Sequence, residues 1–82
     1  MADVIYTNDI KKGERCQLRN GWEAVMEDNK KGWARVMTVF GDFTEAGSVY
    51  AHDIMFVKRG DSWLPITHTK KQLELYEEIG EY

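Results

Sequence analysis

The chain predicts a mainly β fold: a small antiparallel barrel of about five strands with a short C-terminal α-helix. Three observations carry that expectation. Short alternating segments recur between turn residues from about residue 4 to residue 67. An Asn20-Gly21 pair separates two of them, which is a strong hairpin signal. The apolar period becomes helical only after Thr69. With 82 residues, 43% hydrophobic and 30% charged, the chain is read as a single globular domain, 1–82, and neither as a disordered nor as a collagen-like chain. The expected barrel covers about 4–67 and the helix about 69–79.

Taken in order, Val4-Ile5-Tyr6-Thr7 reads as a short first strand, followed by turn chemistry at Asn8-Asp9 and Lys11-Lys12-Gly13. Glu14 to Arg19 alternates, with Cys16 and Leu18 on one face and Arg15, Gln17 and Arg19 on the other. Asn20-Gly21 predicts a tight type I′ turn, with positive φ at both central residues. Trp22 to Glu27 returns, placing Trp22, Ala24 and Met26 together. After the turn 28–32, Trp33 to Phe40 is apolar on both faces, which predicts a central or strongly bent strand. A glycine-bounded loop spans Gly41 to Gly47. The longest predicted strand, Ser48 to Lys58, switches apolar phase at His52-Asp53, and a bulge there would account for the switch. Trp63-Leu64-Pro65-Ile66 is a short or edge strand, because proline has no amide to donate to a ladder. Thr69 and Gln72 fit a capping box, with Leu73, Tyr76 and Ile79 as the apolar stripe and Gly80 as the stop. Lys70 and Lys71 stand at the start of this helix and Glu77 and Glu78 at its end, the reverse of what the helix dipole favours. Docking must therefore stabilise it.

The segment Gly13 to Val25 resembles the opening hairpin of SH3-like barrels of the KOW type. A second set of residues is similar to a family of small, uncharacterised phage and bacterial proteins. It comprises Asp28-Asn29-Lys30-Lys31-Gly32, Gly41, Thr44 to Ile54, Trp63 and His68-Thr69-x-x-Gln72. This resemblance implies a unit of the same size, as a phage-derived accessory or regulatory protein, and brings no activity and no site residues with it.

Composition narrows the function classes. Net charge is −3, and residues 72–82 carry four Glu residues with no Lys or Arg, so the rest of the chain is close to neutral. A strongly basic nucleic-acid footprint is absent from the totals. No apolar run reaches membrane-span length and the N-terminus lacks a signal-peptide pattern, so no membrane association is expected. A single cysteine, Cys16, fits a reducing, cytoplasmic setting. Metal-ligand spacing, nucleophile motifs and phosphate-loop motifs are missing, so no catalytic residue, metal or cofactor is assigned and a non-enzymatic module is expected.

Two binding readings follow. The favoured one is a protein partner of unknown identity, met through Phe43, Glu45 and Tyr50 in and beside the acidic loop. The alternative is a nucleic-acid strand, with Arg15, Arg19, Lys30, Lys31 and Arg35 on phosphates and Trp33 as a stacking platform. An open sheet edge and the two-sided strand 33–40 also invite homodimerisation.

Overall fold

A computed structural model describes residues 4–29 and 32–79. Six strands form one antiparallel sheet: β1 (Arg15–Leu18), β2 (Glu23–Asp28), β3 (Ala34–Phe40), β4 (Thr44–Tyr50), β5 (Ile54–Arg59) and β6 (Ser62–Pro65). Their order is β4-β3-β2-β1-β5-β6, so β4 and β6 are edges and the sheet is not closed. Helix α1 (Lys70–Ile79) follows. The mainly β class with one C-terminal helix thus holds, with one strand more than expected and without ladder closure.

The extra strand comes from dividing the expected strand 48–58. Ala51–Asp53 form a single 3-10 turn, not a bulge, and the chain passes there from the β4 edge to the side of β1. The expected loop 41–47 is shorter than predicted. Glu45 to Gly47 have little β propensity of their own, yet they pair in continuous register with β3, from Phe40↔Thr44 to Ala34↔Tyr50. The expected first strand at 4–7 reduces to an isolated bridge between Tyr6 and Thr67. Asp9 is the cause: its carboxylate accepts the Tyr6 amide at 3.0 Å and bends Thr7–Asp9 into a 3-10 turn.

At the first hairpin the loop has three residues, not two. The Gly21 amide donates to Leu18 O at 2.9 Å, and the Leu18 amide donates to Trp22 O at 2.7 Å. Only Gly21 has positive φ, at 92°, so Asn20 keeps ordinary backbone geometry and its Oδ1 accepts the Trp22 amide. The capping box forms as expected. The Gln72 amide donates to Thr69 Oγ1 at 3.2 Å, and Gln72 Oε1 accepts the Thr69 amide at 2.9 Å. Gly80 and the adjoining C-terminal residues lie outside the described residues.

One face of the strands converges on a single core. Cys16, Ala24, Met26, Met37, Ile54 and Val57 are completely buried, joined by Ile5, Ile10, Leu18 and Ile66. A flat sheet beside a helix of 10 residues could not seal so many side chains. The sheet curls instead, so that β4 and the first hairpin share one groove although two strands separate β4 from β1 in the sheet order. Burial pushes the Cys16 thiol up to about 12, so it stays protonated and packs as a small apolar side chain.

Two arginines pin the N-terminal turns to this body. Arg59 of β5 grips the Glu14 carboxylate with two hydrogen bonds, at 3.0 and 3.1 Å, and also donates to Asp9 O. That ion pair holds the Glu14 carboxyl below the usual carboxylate range. The second is Arg35, at 2% exposure a core residue in spite of its charge.

Candidate functional site

Curling brings β4 close to the β1–β2 turn, although two strands separate β4 from β1 in the sheet order. The space between them is a groove of about 710 Å³. Residues 45–50 of β4 line one side; Leu18, Arg19 and Trp22 of the first hairpin line the other, with Val39 and Asp53. Register decides which β4 residues look inward. Glu45, Gly47 and Val49 pair with Val39, Met37 and Arg35, and directly opposed residues share a face. Val39 and Val49 pack on the core, so Gly47 lies on the inner side.

The two glycines flanking the β3–β4 turn behave differently. A Cβ on Gly41 would overlap the Trp22 ring, so this glycine is what lets the indole lie flat against the backbone. Gly47 has no such need. Its φ is not positive, a Cβ there would meet nothing within 4 Å, and β4 carries no register shift.

The structure brings together part of the predicted protein-binding set. Glu45 and Tyr50 both line the groove. Phe43 stands apart from the lining at the tip of the β3–β4 hairpin, 80% exposed. The basic set does not assemble into one surface. Arg15 pairs with Glu23 and lies over the Phe40 ring. Arg19 pairs with Asp53 at 3.3 Å, donates to His52 O at 2.6 Å and lies over Tyr76. Arg35 points inward, where Asn29, Asn8, Gly32 O and Ala34 O accept its hydrogen bonds. Trp33 is 73% exposed. Lys30 and Lys31 lie outside the described residues.

Sequence reasoning missed the cluster that docks α1. The His52 ring, 1% exposed, stacks on Tyr50 with centroids 5.1 Å apart and meets Tyr76 of α1 at 5.2 Å. Tyr76 and Leu75 are half-buried, whereas Leu73 of the predicted stripe remains largely exposed. The helix is therefore held by an aromatic and cationic contact more than by a continuous apolar seam. The sequence signals for it are Tyr76 in the predicted stripe and the phase switch at His52.

Burial pushes the His52 pKa below its ordinary 6.5, against the opposing pull of Asp53 and with the help of Arg19 and His68. Between that lowered value and 6.5 the unfolded chain binds a proton that the folded one does not. Stability should therefore fall as pH drops below about 6.5. Glu14 adds a second loss at lower pH, as the medium passes through its depressed pKa. Urea midpoints measured across the acid range should show both losses, and a His52→Phe variant should lack the first. An unchanged first loss in that variant would count against a buried neutral imidazole.

Among the described residues there is no group of three or more metal-ligating side chains, and no helix is long and apolar enough to cross a membrane. Compared with protein-family models, curated proteins and solved structures, the chain matches none.

Proposed function

We propose that the protein is a non-enzymatic binding module that takes an extended segment of a protein partner along β4. Gly47 carries this reading. Glycine inside a strand forgoes roughly 0.5–1 kcal/mol relative to alanine, and it is normally retained for a turn, a bulge or a close approach. Neither of the first two applies, and no described residue approaches it. What remains is an approach from outside. The edge suits an added strand: β4 has no Lys and no Pro, the residues that commonly block edge pairing. Main-chain hydrogen bonds to β4 would give affinity, and the groove would take alternate side chains.

Charge specifies the partner further. Asp42 and Glu45 flank Phe43, and no Lys or Arg lies between Thr38 and Lys58 in the sequence. A segment alternating apolar side chains with a Lys or Arg complements this surface. An SH3-like barrel is the finer fold reading that accompanies this proposal, and a phage-derived accessory role in the cytoplasm is its setting. The strand order and the 3-10 turn before β5 support the barrel reading. The alternative of a nucleic-acid strand across Arg15, Arg19 and Arg35 has less support, because all three guanidinium groups are engaged within the protein.

The test uses Gly47→Phe. Open space beside Gly47 means this variant should fold with a melting temperature close to the parent's, while its ring fills the groove. Short random peptides selected on the immobilised protein should be apolar and basic, and should lose most of their binding to Gly47→Phe. Peptides that bind parent and variant equally well, or no enrichment at all, would overturn the proposal. Peptide-free dimers that disappear in Gly47→Phe would instead assign the edge to a second copy of the chain.

A further inference from the structure

A second cavity, of about 530 Å³, lies where the start of β3, the 3-10 turn 51–53 and the N-terminus of α1 meet. It shares no lining residue with the groove along β4. Among the described residues its formal charges have one sign: Arg35 and Lys71 line it and no carboxylate does, in a chain with 14 acidic residues and a net charge of −3. The acceptors that hold Arg35 are two asparagine side chains and two backbone carbonyls, so its buried charge is solvated without being neutralised. Helix α1 starts here with Lys70 and Lys71 and no acid in its first turn, which adds side-chain charge to the positive end of the helix dipole. This arrangement disfavours the free helix and favours one with an anion bound.

Two further residues give the cavity its shape. The His52 ring borders it, buried, with no hydrogen-bond partner on either nitrogen among the described residues; its Nε2 lies 3.6 Å from the Asp53 carboxylate. Trp33 also lines it, with an exposed indole whose backbone is fixed because the Ala51 amide donates to Trp33 O at 2.8 Å. An exposed indole beside a cationic pocket is the pairing that holds a planar base and its phosphate together.

We infer that this cavity, formed where Trp33, Arg35, His52 and the Lys71 end of α1 come together, binds a nucleotide. The base stacks on Trp33, and the phosphate lies toward the Lys71 side chain and the Lys70 and Lys71 amides, since the capping box takes those of Thr69 and Gln72. The volume fits one such unit. The nucleotide is either free in solution or one residue of a single strand.

Titration of the isotope-labelled protein with adenosine 5′-monophosphate, followed by amide spectra, tests this. Saturable shifts are expected at the Trp33 indole N–H and the Lys71 amide. Adenosine, lacking the phosphate, should bind about tenfold more weakly. Lys71→Gln and Trp33→Ala change exposed side chains, so both should fold as the parent does, and both should weaken the monophosphate. An adenine oligonucleotide that causes the same shifts at lower concentration assigns the site to single strands; one that binds no better than the monophosphate assigns it to free nucleotide. Absence of saturable shifts, equal binding of adenosine and its monophosphate, or binding untouched in both variants would overturn the inference. The groove variant Gly47→Phe should leave these shifts intact, which keeps this test separate from that of the β4 edge.

Discussion

Arg35→Ala should cost about 2–3 kcal/mol of folding stability, a large part of the margin of a chain this small. The guanidinium is buried, and its hydrogen bonds run to Asn8 Oδ1, Asn29 Oδ1, Gly32 O and Ala34 O. Removing it empties a buried site and takes the donor from the half-buried Asn29 Oδ1, while Asn8, Gly32 and Ala34 are exposed residues whose acceptors water can reach. Asn29 also donates to Thr7 O and Ile10 O, both at 2.8 Å, so the loss spreads to the N-terminal turn. Arg35→Lys keeps the charge but has no planar fork to reach acceptors on separate segments. It should recover less than half of the loss. Urea unfolding of both variants measures this, and an alanine variant within about 1 kcal/mol of the parent would show that Arg35 is not a structural centre.

Ile54→Ala should destabilise by about 2–5 kcal/mol. Ile54 opens β5, is fully buried, and sits opposite Leu18 where the β1–β5 register shifts. Its carbonyl also meets His68 Nε2 at 2.9 Å, so it joins the core to the segment that leads into α1. A cavity there cannot be refilled easily, because the 3-10 turn 51–53 fixes the chain immediately before it. Ile54→Val should cost only about 0.5–1.5 kcal/mol. Equal losses for the two variants would mean that the β-branched shape, and not buried volume, matters at this position.

These residues also show what the sequence made legible. Ala24 and Met26 were readable as core because their strand alternates cleanly, and the capping box at Thr69 was readable because its partners are local. Pro65 was correctly expected at an edge for want of an amide. Arg35 was not readable as core. Residues 33–40 are apolar on both faces, so alternation alone could not choose the inner one. The acceptors that make a buried guanidinium tolerable include Asn8, far away in the chain. The groove was only partly visible. Glu45 and Tyr50 were singled out from an acidic loop, but the segment 44–47 is too polar and small to signal a strand, and pairing with β3 supplies its order. The meaning of Gly47 emerges only once its surroundings are known to be open.

A binding role at β4 joins these features into one account. The buried arginine and the core hold the curl of the sheet, the curl sets β4 against the first hairpin, and the missing side chain at Gly47 leaves room between them. Amide hydrogen exchange of residues 44–50, with and without a peptide selected on the parent protein, tests this most directly. The account predicts slowed exchange at alternate β4 amides, the pattern of a newly paired edge, with β6 unchanged. Tight peptide binding that leaves β4 exchange unaltered would contradict it.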